Sequence, residues 1–456
     1  MVKNSVTQMV ADTNNRQAYT LVVGLGLTGM SVVRFLHARG ERVVVVDTRD
    51  VPPGCDELKM NHPDVELKTG VFDEQLFSKA KQIIISPGVP LSIPEIQAAV
   101  TNKVDVVGDV ELFAREVTAP VIAITGSNGK STVTTLVGEM ARKAGINVAV
   151  GGNIGVPVLD LLKQNADLYV LELSSFQLET LFSLKPVAAT VLNISPDHMD
   201  RYQDVSEYAK VKQRIYEKTE CAIVNRDDEY VKAMSGQLDK VTGFSLFEVA
   251  EDNFGLRIIE DDVWLCKGQQ KLIAEKNLKI AGRHNTANAL AALALGEAAN
   301  IPMIAMLEAL REFSGLAHRT QWVARRNNVI WINDSKGTNV GATLAAIEGL
   351  NVENRLLLIA GGLAKDADFS SLKNALKIKA RCLILLGRDA KLIEKDIDGV
   401  VAVHYATSME DAVNIANDLA ESGDTVLLSP ACASFDMFDG YEQRGEIFIQ
   451  AVEMLP

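Results

Sequence analysis

The loop TGSNGKST at 125–132 carries the densest chemistry in the sequence. Gly126 and Gly129 let successive backbone N–H groups converge on phosphate oxygens, Lys130 adds a compact positive charge, and the Ser131 hydroxyl can ligate Mg²⁺. Ser127, Asn128 and Thr132 complete the loop, which is shorter than the usual ATPase one because Ile124, not glycine, stands five positions before Gly129. A second glycine loop, GLGLTG at 24–29, follows an apolar run and opens a helical stretch that ends at Gly40. Its glycines allow a tight turn beside a diphosphate, and Asp47 ends the next strand, where an acid commonly meets a ribose. Read alone, this loop points to a dinucleotide, with a turn that merely packs strand on helix as the plainer alternative. The third cluster joins Glu172 in ELSSFQL (172–178) to His198 in DHMDRY (197–202), each near the end of an apolar strand. A carboxylate, an imidazole and the loop hydroxyl form a mixed N/O set able to hold Mg²⁺ or Mn²⁺ beside a triphosphate. Spacing alone leaves His198 open between ligand and ordinary structural residue, and His37, His62 and His404 read as structural. Lys212, among Lys210, Arg214 and Lys218 on a predicted helix, reads by spacing as a solvated surface lysine.

These side chains need a scaffold of alternating strands and helices, and the chain supplies it. Short apolar runs at 21–24, 43–47, 83–86, 121–125, 168–173 and 187–193, and again at 329–333, 356–360, 382–386 and 425–429, alternate with helical stretches. That alternation predicts α/β architecture with parallel sheets covered by helices. A more polar, irregular region around 236–280 reads as a peripheral subdomain. At 456 residues the chain is long enough for about three domains. We place a leader at 1–17, expected to be disordered, and domains at 18–108, 109–315 and 316–456: an N-terminal Rossmann-like domain, a central P-loop ATPase-like domain and a C-terminal Rossmann-like domain. The net charge of −13 repels phosphate backbones and anionic membrane surfaces, so nucleic acid and membrane are not expected partners. Five scattered cysteines with no C-x-x-C suggest neither a disulfide framework nor a zinc site, and fit a reducing cytoplasm. No export signal or run of about 18 apolar residues is evident.

Seven motifs then stand in a telling order: TGSNGKST, ELSSFQL, DHMDRY, GRHNTANALAA (282–292), AHRTQ (317–321), NDSKGTN (333–339) and SPACASFDMF (429–438). This series resembles the Mur ligases over essentially all of the chain after the leader. The resemblance implies an ATP-dependent amide ligase of peptidoglycan precursor synthesis that joins D-glutamate to UDP-N-acetylmuramoyl-L-alanine through an acyl phosphate. It also turns the first glycine loop from NAD to UDP: Gly26, Leu27, Thr28, Asp47, Thr48, Arg49 and Ser86 would face the uridine diphosphate, with Asn153 of GGNIG near the sugar. Lys130 and Ser131 would hold the β- and γ-phosphates. Asn285, Asn288, Arg319 and Asp334 would line the adenine and ribose side, although by themselves the two asparagines read as helix caps before an Ala/Leu helix. Thr338, Lys365, Ser434 and Phe435 would surround D-glutamate, with Tyr441 packing nearby. The loop 361–365 departs from the family pattern in lacking a charge between its glycines and Lys365. Ser131, Glu172, His198 and Lys212 would serve two Mg²⁺ sites, where Mn²⁺ can substitute, and Lys212 would be carbamylated by CO₂. The expected enzyme is a monomer. An NAD-dependent oxidoreductase would leave the phosphate loop unexplained, and a P-loop switch would bind nucleotide without joining anything; other Mur-type or folylpolyglutamate-type ligases share the ATP loop.

Overall fold

A computed structural model of the chain describes residues 19–455 apart from 200, 249, 250, 281, 351, 365 and 366. The expected leader and Lys365 therefore lie outside the described residues. Packing gathers the chain into two compact units. One holds the described residues up to Thr125 with Ile146–Ala189 and Arg214–Glu220, and the other holds Gly126–Gly145, Thr190–Gln213 and the residues from Cys221 onward.

The first unit opens with five parallel strands in the spatial order Glu66–Thr69, Val43–Asp47, Thr20–Val23, Gln82–Ile85, Asp105–Gly108. The three inner strands are runs of Val, Ile and Leu because helices cover both faces and neither face can be polar. Chain order reverses between Thr20–Val23 and Gln82–Ile85, so the loops leaving those two strands meet at a switch point, where open parallel sheets place their ligands. In the same unit Val121–Thr125 pairs in parallel with Leu168–Glu172, which pairs with Val148–Gly152.

In the second unit Ala222–Asn225 and Val241–Phe244 run parallel, and Phe254–Ile259, Asp262–Lys267 and Gln270–Ala274 continue as an antiparallel meander. The region expected to be irregular is thus ordered strand. Its half-exposed positions carry charge and break the period-2 alternation that marks a strand in sequence. The helix Arg283–Ala298 is buried along its whole middle, from Ala289 to Leu295. A six-stranded sheet follows in the order Gln321–Arg326, Val329–Asn333, Thr425–Leu428, Leu356–Ala360, Ala380–Leu385, Ala402–Tyr405, antiparallel at its first pair and parallel elsewhere. Its two edge strands escape the sequence reading because each is partly exposed and mixes polar residues into a short run. Two apolar clusters, one built around Phe369, Leu358 and Ile393 and the other around Trp331, Phe448 and Ile359, make up the buried core of this lobe.

Candidate functional site

The first unit holds a cavity of about 570 Å³ at the switch point of its five-stranded sheet. All eight residues expected to face the UDP moiety line it: Gly26, Leu27, Thr28, Asp47, Thr48, Arg49, Ser86 and Asn153. Gly24, with φ +90°, turns the chain there, and the Ser86 hydroxyl donates to its carbonyl at 3.1 Å. Asp47 acts on the loop itself. Its Oδ2 accepts the Leu25 N–H at 2.7 Å and its carboxylate takes the Arg49 guanidinium at 2.6 and 2.8 Å. Burial alone would raise this carboxyl, yet the Arg49 side chain and the two backbone N–H groups hold it at about 2. An anion fixed in this way locks the glycine turn in shape.

Glu172 ends its strand in the same unit and is buried. Its Oε1 accepts the Asn153 amide at 2.7 Å, while Oε2 is buried without a hydrogen-bond partner. Gly152, at φ +106°, makes that approach possible: a Cβ there would sit 2.4 Å from the Glu172 carbonyl oxygen. A buried carboxylate oxygen left unpaired is costly, and a divalent cation is the natural partner for it. Among the described residues no three His, Cys, Asp or Glu side chains gather to hold a metal.

The second unit carries the phosphate loop. The helix Lys130–Lys143 starts at Gly129, whose φ of +83° no β-carbon-bearing residue adopts cheaply. The loop is held by its neighbour: Ser127 N donates to Asn193 O at 2.9 Å, Asn128 N to Asn193 Oδ1 at 2.8 Å, and Asn193 Nδ2 back to Asn128 O at 3.0 Å. Lys130 Nζ folds onto the Gly126 and Ser127 carbonyls at 2.9 and 3.0 Å, which poises it over the loop mouth. A cavity of about 310 Å³ opens beside this loop. Asn128, Gly129, Thr132, Asn285, Asn288, Arg319 and Asp334 line it together with Phe244, His284, Asn225 and Lys336, which sequence reasoning missed. His284 and Lys336 stand inside the motifs GRHNTANALAA and NDSKGTN, which could have flagged them, whereas only spatial proximity marks Asn225 and Phe244.

Asn285 and Asn288 are not caps. The helix starts at Gly282 with no side-chain cap, and Asn288 Nδ2 donates to Asn285 Oδ1 at 3.2 Å one turn inside the helix, so both amides present to the cavity. Arg319 Nη2 donates to Ser131 Oγ at 2.6 Å. Asp334 accepts from Thr320 N at 3.0 Å and from Ser429 Oγ at 2.7 Å; burial raises its carboxyl to about 6 against those bonds. Lys212 is not a solvated lysine either: it is only 1% exposed, with Nζ 4.7 Å from the Tyr208 ring centre. His198 stands at φ +57° on the loop after its strand, with Nε2 3.8 Å from Asp197 Oδ2. Of the residues expected to serve Mg²⁺, Glu172 belongs to the first unit and Ser131, His198 and Lys212 belong to the second.

Of the residues expected around D-glutamate, Ser434 is buried and Phe435 is 70% exposed. Arg444, unmarked in the sequence, is buried and donates to Ser335 Oγ, Ser335 O and Cys432 O at 3.0, 2.8 and 3.2 Å. Burial pushes its guanidinium down to about 10. Its bonds clamp the two loops that carry Thr338 and Ser434. Lys336 Nζ stacks 3.7 Å over the Tyr441 ring.

Three family models match the chain: "Mur ligase MurD-like, N-terminal domain" over residues 18–108, "Mur ligase middle domain" over 124–296 and "Mur ligase, glutamate ligase domain" over 318–432. The chain belongs to the Mur ligases. Two relatives in this family, from Nitrosococcus oceani and Pseudomonas putida, are described as UDP-N-acetylmuramoylalanine-D-glutamate ligase. The first is 52% identical over 95% of this chain and 96% of the relative, the second 50% identical over 95% and 97%. Among solved Mur ligase folds, a pseudomurein peptide ligase type C from Methanothermus fervidus is 19% identical with TM-score 0.62, covering 95% of this chain and 99% of that one. A UDP-N-acetylmuramate-alanine ligase from Thermotoga maritima is 18% identical with TM-score 0.59 over the same shares, and both likenesses concern the fold alone.

Proposed function

We propose that this Mur ligase joins D-glutamate to UDP-N-acetylmuramoyl-L-alanine at the expense of ATP, as a cytoplasmic monomer with domains at 18–108, 109–315 and 316–456. The observation that carries the reading is the single cavity in which the phosphate loop, the Asn285 and Asn288 amides, Arg319 and Asp334 meet, in a chain half identical to relatives described by that activity. The substrate carboxylate takes the γ-phosphoryl group of ATP to give an acyl phosphate, and the D-glutamate amine displaces phosphate to form the amide. The obstacle is charge, because an anionic carboxylate must approach a polyanionic nucleotide. Lys130 would leave its loop carbonyls for the β- and γ-phosphates, and the backbone N–H groups of the loop would spread the remaining charge. Asn285 and Asn288 would orient the base, Asp334 the ribose, and Arg319 the phosphates next to Ser131. In the first unit the cavity beside Gly26, Arg49 and Ser86 would seat the uridine diphosphate, with Leu27, Thr28, Asp47, Thr48 and Asn153 around it.

Glu172, His198, Ser131 and Lys212 would hold Mg²⁺, which when bound supplies positive charge to the transferring phosphoryl oxygens. Lys212 would join that set as its carbamate, formed when the neutral amine adds to CO₂ and releases a proton, so that a buried nitrogen becomes a buried carboxylate. The burial of Lys212 supports this, since a solvated lysine would have no site to stabilise the product. Thr338, Ser434, Phe435 and Lys365 would receive D-glutamate.

The test is ATP-dependent phosphate release by the purified chain with UDP-N-acetylmuramoyl-L-alanine and a panel of amino acids. Release that requires D-glutamate supports the reading. Release with an L-amino acid instead would assign another Mur-type ligation, and release with a folate and glutamate would assign the folylpolyglutamate type.

A further inference from the structure

Asn339, which closes the NDSKGTN motif, makes three side-chain hydrogen bonds. It is the N-cap of the helix Val340–Gly349, with extended φ −138° and ψ 161°, and its Oδ1 accepts the Ala342 N–H at 2.8 Å. Its Nδ2 then reaches out of the helix to Asn128 Oδ1 of the phosphate loop at 3.2 Å and to Asp197 Oδ2 at 3.4 Å. One acceptor and two donors use the side chain's main hydrogen-bonding capacity, and a flipped amide would set oxygen against oxygen at both outer contacts. Each outer partner belongs to the nucleotide machinery. Asn128 is fixed by Asn193 and also donates to Ser195 Oγ at 3.4 Å. Asp197 takes the His198 N–H at 3.0 Å. The helix start is close against the same loop, because a Cβ on Gly341 would fall 2.9 Å from Ser195 Oγ and 3.1 Å from Ser195 Cβ. On its other side Asn339 follows Thr338 directly in the chain.

We infer that Asn339 is the positioning residue that couples nucleotide at the phosphate loop to the seat of the acceptor amino acid. The inference rests on the proposed function for the identity of that amino acid. Nucleotide that orders Asn128 and the 193–198 loop also fixes the Asn339 amide, and Asn339 caps the helix start and is the chain neighbour of Thr338. The two outer bonds are long, so occupancy at either end can make or loosen them. Coupling of this kind is reciprocal: ATP tightens the acceptor by the factor by which the acceptor tightens ATP.

The experiment uses the full chain and phosphate release with Mg²⁺-ATP and UDP-N-acetylmuramoyl-L-alanine, and reads the KM for D-glutamate with ATP well below and well above its own KM. In the wild type that KM should fall severalfold as ATP rises. Asn339→Ser keeps a capping oxygen for Ala342 but has no amide to extend. Its KM for D-glutamate should stay high, at least fivefold above wild type at saturating ATP, with kcat changed less than KM. Asn339→Asp keeps the cap and opposes Asp197, so it should lose the ATP dependence as completely. Gly341→Ala perturbs the same contact from the other side, its added carbon falling 2.9 Å from Ser195 Oγ, so it should also weaken the dependence, and thermal midpoints of all variants show whether any loss tracks stability. The inference is overturned if the wild type shows no ATP dependence, if Asn339→Ser keeps it, or if the loss follows the thermal midpoint and is missing in Gly341→Ala. A wild type that uses another amino acid overturns the acceptor assignment instead, and the same measurement then applies to that amino acid.

Discussion

Lys130 and Lys212 show how little a residue's type says until its surroundings are known. Lys130 rests half-buried on two loop carbonyls and fills no core volume, so Lys130→Ala should fold normally and lose turnover. A loss smaller than about tenfold in kcat, ~1.4 kcal/mol in barrier, would mean that the ammonium does not meet the transferring phosphate. Lys212 is buried beside Tyr208, whose phenol burial pushes well up. Lys212→Ala should therefore remove most turnover, and acetate should restore part of it by placing a carboxylate in the vacated space. Lys212→Arg should fail as well, because guanidinium stays cationic. Full activity in the alanine variant, or an unmodified Lys212 seen by crystallography in an active metal-loaded enzyme, would reject the carbamate. For Asp47 the sequence position pointed to a ribose, and the structure shows a carboxylate engaged with the Leu25 N–H and Arg49. Spacing could place that acid at the cavity but could not tell which donors would reach it first.

At the scale of elements, what matters is how strand ends are brought close. Gly152 lets the strand Val148–Gly152 approach Glu172 so that Asn153 N donates to the Glu172 carbonyl at 2.9 Å and Asn153 Nδ2 to its carboxylate. Gly152→Ala would combine a positive φ of 106° with a Cβ 2.4 Å from that carbonyl oxygen. A cost of roughly 1–3 kcal/mol is expected from the backbone conformation alone. Denaturant unfolding should show at least that loss, and phosphate release should fall at least tenfold as Glu172 turns away. Wild-type stability together with wild-type turnover would show that the glycine serves neither purpose. The helix Arg283–Ala298 was visible in sequence as an Ala/Leu run after two asparagines, but its direction was not. Gly282 takes the cap position with φ +97°, and this rotates Asn285 and Asn288 from capping duty to the cavity wall. Three residues of register at a helix start, with Gly282 as the cap in place of Asn285, decide which of two roles an asparagine fills.

Across the whole molecule, four carboxylates, three buried and Asp160 partly exposed, act in opposite senses. Burial raises Asp109 and Asp334 to about 6, whereas Asp47 and Asp160 are held at about 2, Asp160 by Arg34, Lys163 and Ser31 against its burial. The raised pair binds protons more tightly when folded. Its contribution is full below about 3.8 and is lost as pH climbs through about 6. The depressed pair contributes above about 3.8 and loses its contribution as pH falls towards 2. With a net charge of −13 relieved by the same protonations, stability should rise from pH 7 to a maximum between about 4 and 6 and then fall. Urea midpoints across pH would check this, and Asp334→Asn should flatten the rise while Asp47→Asn flattens the acid-side fall. A midpoint that declines steadily from pH 7 downward would contradict the assignment of the raised pair.

The sequence by itself determined the alternation of strands and helices, the two glycine loops and the order of the seven motifs. These depend on local rules: apolar runs buried on both faces of a parallel sheet, and glycines where the backbone must take a positive φ or approach a phosphate. Tertiary structure alone decided which side chains meet. Phe244, His284 and Lys336 reach the cavity beside the phosphate loop, Arg444 clamps Ser335 to Cys432, and Asn339 spans from its helix to Asn128, 211 positions away. Lys212 changed from surface to core on the same ground. Whether a lysine is solvated, an acid raised or lowered, or an asparagine a cap or a tie depends on the neighbours that folding supplies, and those neighbours lie far along the chain where no spacing rule connects them.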